Sequence, residues 1–187
     1  MSNIKLSVLI CTLPSRVVRF LPVLIQELDR QATPETEIIY LGDNKKRSVG
    51  EKRNDLLRLA QGEYVVFVDD DDWVTPDYVK ELIEGCHTGA DVVVFKVMCK
   101  IERKAGKEVI YNANFKKDMN KARHYERLPN HIMCIKRELA LKVGFKQMNF
   151  GEDVDFATKL RPLIGSQCVI DRVLYNYNFS HQISETQ

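Results

Sequence analysis

The amino-acid sequence predicts an α/β fold, formed by a single domain with a mostly parallel sheet and helices on both faces. In the first half, short β-branched apolar runs alternate with longer stretches in which apolar residues recur at helical spacing. Such alternation is typical of βαβ units, whose strands pair in parallel. The chain has 187 residues, 44% of them hydrophobic, which suffices for one core and is too few for two full domains.

The first two strands and helices follow each other directly. Residues 4–10 are β-branched and apolar and predict a strand, which a turn containing Pro14 joins to a helix. That helix has one apolar face, formed by Val17, Leu21, Leu24, Ile25 and Leu28. A second strand at residues 37–41 ends in a Gly-Asp-Asn turn, and a second helix over about residues 51–60 stops at Gly62.

The third strand marks the edge where we expect the functional residues. Residues 64–68 carry no charge, as in a strand buried on both faces. A third helix at 77–86 begins after Pro76, and a fourth strand is predicted at 91–97. Because ligands of such sheets bind at the carboxyl ends of the strands, site residues are expected there.

The second half has a weaker pattern at its start. Residues 100–127 are polar, and we interpret them as a hairpin or a mobile loop over the site. The remaining predicted elements are a strand at 132–135, helices at 137–143 and 153–163, and a strand region at 169–177.

Composition excludes several classes of protein. The chain carries 28 Lys plus Arg against 26 Asp plus Glu, so no overall field favours nucleic acid or a membrane surface. The apolar runs are far shorter than the roughly 20 residues that cross a bilayer, and no secretory signal is visible, so we expect a cytoplasmic protein. Five widely spaced cysteines without a C-x-x-C pair indicate reduced thiols.

Four consecutive aspartates, residues 69–72, directly follow the third predicted strand. Strand alternation sends Asp69 and Asp71 to one side, where they could share a divalent cation with a diphosphate. Oxygen ligands of this kind favour Mg²⁺ or Mn²⁺ over zinc. The alternative is an acidic turn that caps the next helix, but a cap explains only one aspartate. We therefore favour the metal site.

Charged residues also lie before or at the starts of two predicted helices. For Lys45 and Lys46 we favour a solvated loop. Lys52 and Arg53 lie at a helix start, where cations oppose the helix dipole, so contact with a ligand and solvation are equally plausible. Glu152 begins an acidic helix start that suits either the helix dipole or catalysis.

Several motifs in order resemble family-two glycosyltransferases of the GT-A fold, over most of the chain. They are residues 7–12 with Arg16, residues 50–54 (G-x-x-R-N), residues 62–73 (a strand plus D-x-D), and residues 136–145 with the Glu-Asp pair at 152–153. The chain is short for such enzymes, and its acceptor-side region is minimal. The resemblance implies a Rossmann-like nucleotide-sugar-binding domain, with a nucleotide-binding half at 1–98 and an acceptor-binding half at 99–187.

The resemblance also implies a reaction. It is a metal-dependent, inverting transfer of a sugar from a nucleoside-diphosphate donor, here a UDP-sugar, to an acceptor hydroxyl. Bound Mn²⁺ or Mg²⁺ would stabilise the departing diphosphate without a proton donor. The acceptor could be a saccharide, a protein or a modified nucleic-acid base, and a homodimer is left open.

Residue roles follow from the same resemblance. Donor-binding roles fall to Thr12, Arg16 and Asp43 on the base and ribose side, and to Lys52, Arg53, Asp69 and Asp70. Asp71 would bind the metal, with His181 as a second candidate ligand.

On the acceptor side, Asp153 would be the base that takes the proton of the acceptor hydroxyl, and Glu152 would orient the acceptor or the base. His131 could line the acceptor pocket, and Trp73 is expected to pack beneath the aspartate loop.

Two other functions are compatible with parts of the pattern. A metal-dependent phosphohydrolase or nuclease also uses carboxylates at strand ends, but beyond residues 69–72 only Asp43 and Asp153 could contribute. A non-catalytic nucleotide-binding module would not need the pair Glu152 and Asp153. Both alternatives are therefore weaker than glycosyl transfer.

Overall fold

The computed structural model describes residues 4–101 and 105–179. Its strands are β1 (Leu6–Thr12), β2 (Thr36–Gly42), β3 (Tyr64–Phe67), β4 (Trp73–Val74), β5 (Val92–Ile101), β6 (Lys107–Tyr111), β7 (Met119–Asn120), β8 (His124–Arg127), β9 (Cys134–Lys136) and β10 (Gln167–Phe179). Its helices are α1 (Pro14–Val17), α2 (Leu21–Gln31), α3 (Val49–Leu59), α4 (Tyr78–His87), α5 (Arg137–Val143) and α6 (Glu152–Leu160), followed by a 3₁₀ turn at Arg161–Leu163.

The strands form one mixed sheet with the order β2-β1-β3-β9-β5-β6-β8-β7. Strands β2, β1 and β3 are parallel neighbours, and β10 runs parallel to β5. Strand β9 is antiparallel between β3 and β5. The predicted α/β class with a mainly parallel central sheet is confirmed. All four residues of β3 are buried, as its uncharged sequence predicted.

The helices form two groups. Helix α2 contacts α4, whereas α5 contacts both α3 and α6. Strand β1 contacts α3 from one group and α4 from the other, as expected when helices cover both faces of a sheet. No helix of the described residues is long and apolar enough to cross a bilayer.

The first predicted helix is interrupted at residues 18–20, so it forms the separate helices α1 and α2. Leu21, Leu24 and Leu28 are buried as predicted. Val17, however, is 37% exposed, so its predicted place on the core face is wrong. The break separates α1, which carries Arg16, from α2, whose buried leucines belong to the core.

The segment 100–127 is largely β-structure where it is described. Strand β6 forms a hairpin with β5, β8 pairs with β6 in parallel, and β7 pairs with β8. Arg127 Nη2 donates to Asn120 Oδ1 at 2.8 Å, and Leu128 N donates to Asp118 Oδ1 at 2.8 Å. The hairpin interpretation is confirmed for β5 and β6, and the mobile-loop alternative stays a prediction. The polar composition reflects edge strands that are only half-buried.

Candidate active site

Three neighbouring parallel strands end at one edge of the sheet. Strand β1 ends at Thr12, and β2 ends just before Asp43. The aspartates of residues 69–72 follow β3 after one further residue. Because β2, β1 and β3 are adjacent and parallel, these polar side chains reach the same edge, as predicted.

Asp70 and Asp71 are held by residues that follow β1. Thr12 Oγ1 donates to Asp70 Oδ2 at 2.7 Å, and Arg16 Nη2 lies 3.0 Å from Asp70 Oδ1. Arg16 also forms an ion pair with Asp71. Burial raises the pKa of Asp70 to about 6 and raises the pKa of Asp71, although the Arg16 charge opposes both shifts. The first strand loop and the aspartate loop therefore form one charged unit.

Asp72 is held by two hydrogen bonds from β10. Its Oδ2 accepts from Tyr175 Oη at 2.7 Å, and its Oδ1 accepts from Asn178 N at 2.9 Å. Burial and the nearby Asp69 charge raise its pKa well above the ordinary value. The N-cap of helix α4 is Asp77, so the capping alternative for the four aspartates is wrong. Asp72 instead ties the aspartate loop to β10.

Helix α3 begins at a capping box. Ser48 N donates to Glu51 Oε2 at 2.8 Å, and Glu51 N donates to Ser48 Oγ at 3.3 Å. The next residue, Lys52, is 1% exposed, and its Nζ lies 3.4 Å from Asp43 Oδ1. Burial opposes ionisation of Asp43, but a hydrogen bond from Arg47 N and the Lys52 charge hold its pKa below the ordinary value. The solvated alternative for Lys52 is wrong.

Arg53 joins the two halves of the site. It is 4% exposed. Its Nη1 donates to Glu152 Oε1 at 2.6 Å and its Nη2 to Asp69 Oδ1 at 3.2 Å. The guanidinium lies over the rings of Phe67 and Phe145, with centroid distances of 5.7 and 5.5 Å. One buried cation thus fixes the aspartate loop relative to the start of α6.

Asp69 and Glu152 titrate differently because their surroundings differ. Burial would raise the pKa of Asp69, but the neighbouring Arg53 and His131 hold it well below the ordinary value. His131 Nε2 lies 3.6 Å from Asp69 Oδ2. Burial raises the pKa of Glu152, although the Arg53 charge opposes the shift. Of the two carboxylates that Arg53 contacts, Asp69 is the more firmly ionised.

The G-x-x-R-N motif has a structural explanation that the sequence did not reveal. A Cβ atom at Gly50 would lie 1.9 Å from the carbonyl oxygen of Lys146. Asn54 Nδ2 donates to Phe145 O at 2.7 Å, and Phe145 N donates to Asn54 Oδ1 at 2.8 Å. Together with Arg53, these residues pack α3 against the connection between α5 and α6. Arg53 and Asn54 follow Gly50 by three and four positions, so the three residues share one face of α3. This spacing was the signal in the sequence from which their common packing could have been predicted.

Replacing Gly50 with Ala should lower the free energy of unfolding by about 1–3 kcal/mol, because the new methyl group must displace backbone. Denaturant unfolding of the purified protein measures this. Gly165→Ala is the matched control, since its Cβ would meet only a side-chain oxygen of Asp91, at 3.2 Å. Equal losses for the two variants would contradict the close packing at Gly50.

Helix α6 places Glu152 and Asp153 at the site. Its N-cap is Gly151, which has a left-handed φ of 73° that favours glycine. Glu152 is buried and turns towards Arg53, whereas Asp153 is half-buried. Asp153 Oδ1 accepts a hydrogen bond from Val154 N at 2.9 Å. The two neighbouring acids therefore have different surroundings.

An open cavity of about 570 Å³ adjoins these residues. One group of lining side chains is polar and consists of Arg53, Asp69, His131, Glu152 and Asp153. Strands β5 and β6 contribute apolar lining residues such as Val97 and Val109, and segment 118–127 contributes a polar wall. Asp69 thus lies both in the aspartate loop and at the cavity.

The metal-binding roles of Asp71 and His181 stay predictions. Within residues 4–101 and 105–179, no group of three or more His, Cys, Asp or Glu side chains could hold a metal by itself. Asp71 forms an ion pair with Arg16, and His181 lies outside the described residues. Trp73 is 38% exposed in β4, so it is only partly packed.

Residues 16–143 match the family model described as glycosyl transferase family 2. A region of 58 residues is 29% identical to EpsH, a candidate glycosyltransferase of Bacillus subtilis (strain 168), and covers 31% of this chain and 17% of that protein.

Solved structures share the fold at low sequence identity. The chain is similar to S. aureus TarS 1-349 in complex with UDP, with a TM-score of 0.73, 19% identity and coverage of 95% of this chain and 61% of that one. The complex of TarS 1-349 with UDP-GlcNAc gives a TM-score of 0.71, 18% identity and coverage of 95% and 59%. This chain therefore spans less than two thirds of the TarS fragments.

Proposed function

This chain belongs to glycosyl transferase family 2, and we propose that it moves a sugar from a nucleoside-diphosphate donor to an acceptor hydroxyl. The observation that supports this best is the Arg53 bridge between Asp69 and Glu152. It joins the strand ends, where a donor would bind, to an acidic helix start beside a cavity. Residues 1–98 would then hold the donor, and residues 99–187 would supply most of the acceptor side.

A UDP-sugar is the proposed donor. Structures of TarS were solved with UDP and with UDP-GlcNAc, and they share this fold. Thr12 and Asp43 lie at strand ends and Arg16 lies in α1 beside them, and these residues would contact the base and the ribose. Lys52 and Arg53 add positive charge to the same region, and Arg53 also holds both Asp69 and Glu152.

Mg²⁺ or Mn²⁺ is the proposed metal, with Asp71 as its protein ligand. One or two carboxylates suffice for such an ion when substrate phosphates supply further oxygen ligands. The Asp71 carboxylate is 16% exposed and pairs with Arg16, so a metal ion would share this carboxylate with the arginine. The ion would supply charge stabilisation to the departing diphosphate.

Asp153 is the proposed base. It would accept the proton of the acceptor hydroxyl while that oxygen forms a bond to the anomeric carbon. The bond from the anomeric carbon to the diphosphate oxygen would break on the opposite side, so the configuration at that carbon would be inverted. Glu152, held by Arg53 at 2.6 Å, would fix the position of the helix start that carries Asp153.

Calorimetric titration with UDP, in the presence and absence of Mn²⁺, tests the proposed donor. We expect UDP to bind in the presence of Mn²⁺ and more weakly after chelation, because Asp71 would hold the ion and the ion would supply positive charge for the diphosphate. CDP, GDP and ADP serve as comparison ligands. If no nucleoside diphosphate bound under either condition, glycosyl transfer by this chain would be rejected.

Asp71→Asn should remove both Mn²⁺-dependent UDP binding and sugar transfer, since an amide lacks the charge of the carboxylate ligand. The matched control is Asp171→Asn, because the Asp171 side chain is 83% exposed and pairs with Lys96 in β5. Normal UDP affinity of the Asp71 variant in Mn²⁺ would exclude Asp71 as the metal ligand.

A further inference from the structure

Strand β2 lies at one end of the sheet, and its outer side has no strand partner within the described residues. Its seven residues pair with β1 in continuous register. Leu6 N donates to Glu35 O at 3.0 Å, and alternate residues of a parallel strand face its partner. The N–H and C=O groups that point away from β1 are therefore those of Thr36, Ile38, Tyr40 and Gly42.

This strand edge lacks the usual protection against pairing with another chain. Free edges are normally protected by short length, bulges, proline or charge. Strand β7 has only two residues, and the register of β10 with β5 shifts between Ile170 and Tyr175. Residues 36–42, in contrast, contain no Pro, Lys or Arg. Their one charged side chain turns inward, because Glu37 Oε1 accepts from Ser7 Oγ at 2.5 Å.

The sequence of β2 is complementary to an antiparallel copy of itself. With Ile39 on a two-fold axis, all seven residues of the strand pair with the same seven residues of the second copy. The outward N–H and C=O groups of Ile38 then meet those of Tyr40, which is 57% exposed. Aromatic and β-branched side chains form favourable cross-strand pairs, and the two-fold axis generates two such pairs.

Opposite charges at the two ends of β2 favour the antiparallel orientation. Glu35 precedes the strand, and its side chain is 44% exposed. Lys45 and Lys46 follow the strand and are exposed, whereas Asp43 is paired with Lys52. An antiparallel copy brings the two lysines of one chain towards Glu35 of the other, at both ends of the contact. A parallel copy would instead place like charges side by side.

The size of this edge indicates how tightly two copies would bind. Seven strand residues span about 23 Å. Helix α3 contacts β2, so the contact face is two layers, or about 20 Å, deep. Such a face buries roughly 900 Å² over both copies, below the roughly 1,200–2,000 Å² of stable complexes. A dimer formed by this face should therefore dissociate on dilution.

We propose that β2 pairs antiparallel with β2 of a second copy of this chain. The two sheets then form one continuous sheet across a two-fold axis at Ile39. The carboxyl ends of the two β2 strands point in opposite directions, so the two donor-side edges lie at opposite ends of the contact. The inference concerns assembly and does not depend on the proposed sugar transfer.

Sedimentation velocity of the full chain over a dilution series tests for the dimer. We expect a reversible monomer–dimer equilibrium that added salt weakens. Tyr40→Lys should raise the dissociation constant about tenfold or more, because an edge lysine opposes strand pairing. Val169→Lys is the matched control and should leave the equilibrium unchanged, since Val169 is 55% exposed and lies in β10.

Tyr40→Pro separates the loss of pairing from the loss of folding. It removes an N–H group that points away from β1, so proline is tolerated there as it is on other strand edges. We expect this variant to stay folded, with a cooperative thermal transition, and to be monomeric at every concentration.

A disulfide test measures the register. Ile39→Cys places two thiols in a non-hydrogen-bonded pair, with Cα atoms about 4.5 Å apart, which suits a disulfide. Oxidised glutathione should therefore link the two copies, as a non-reducing gel would show. Ile38→Cys is the matched control and should link much less, because its two Cα atoms would be diagonal neighbours about 7–8 Å apart. The unchanged chain, with its five cysteines, gives the background.

Several results would overturn the proposal. One is a monomer at every concentration, and another is a dimer that Tyr40→Lys and Tyr40→Pro leave intact, since it would use a different surface. Faster linking of Ile38→Cys than of Ile39→Cys would exclude the two-fold axis at Ile39. A monomer whose outward β2 amides are protected from hydrogen exchange would show that another segment of the same chain covers this edge.

Discussion

Asp153→Asn is expected to lower the rate of sugar transfer by about 10²–10⁴-fold, the usual contribution of a positioned general base. An amide cannot accept the hydroxyl proton, but it has nearly the same shape as the carboxylate. The hydrogen bond from Val154 N to Oδ1, at 2.9 Å, can be kept by the amide oxygen. UDP binding should therefore remain close to that of the unchanged protein, because Asp153 is not one of the donor-side residues at the strand ends.

The matched control is Asp155→Asn, on the same first turn of α6. Asp155 pairs with Lys159 on the helix surface, with 2.7 Å between Oδ2 and Nζ, and it is not among the cavity-lining residues. Release of UDP from a UDP-sugar, with and without acceptor, measures both variants. Transfer at a normal rate by the Asp153 variant would show that another group takes the proton.

Arg53→Met is expected to have the largest effect on stability, lowering the free energy of unfolding by about 3–5 kcal/mol. Methionine can occupy much of the arginine volume between Phe67 and Phe145. It leaves Asp69 and Glu152, however, as two carboxylates without their shared cation. Transfer should also be lost, because the aspartate loop and the start of α6 would no longer be held at a fixed separation.

Denaturant unfolding measures this effect, and three further variants make the test specific. Arg58→Met, on the exposed side of the same helix, should change stability by less than about 0.5 kcal/mol. Arg53→Lys keeps the charge but cannot bond both carboxylates in the same planar geometry, so it should rescue only part of the loss. Glu152→Gln in the Arg53→Met background should recover some stability, because one unpaired charge is removed. If Arg53→Met were as stable as Arg58→Met, the bridge would have no structural importance.

Much of the donor side could be predicted from local sequence. The uncharged run before the four aspartates predicted a buried strand, and its position predicted that polar groups meet at its carboxyl end. The structure confirms both, since β3 is buried and Thr12 and Asp70 hydrogen-bond to each other although they are 58 positions apart. Adjacent parallel strands bring their carboxyl ends together whatever sequence connects them. The position of a residue at a strand end was therefore sufficient to predict that it lies at this edge of the sheet.

Other elements were missed because their signals are weak or non-local. The break at residues 18–20 does not disturb the apolar spacing of α2. Strands β7 and β8 are short and have no buried residue, and their polar sequences also occur in loops. Strand β4 has only two residues and exists because β10 pairs with it. For β4, a partner from a distant part of the chain decided the local structure.

By itself, the sequence determined the fold class, the edge of the sheet that carries the polar residues, and the family resemblance. Only the tertiary structure decided which charges meet. Arg53 pairs with Glu152 across 99 positions in the chain and with Asp69 across 16, and His131 lies beside Asp69 at the cavity. Periodicity and strand-end position are properties of neighbouring residues, whereas ion pairs and cavities depend on how complete helices and strands pack against each other.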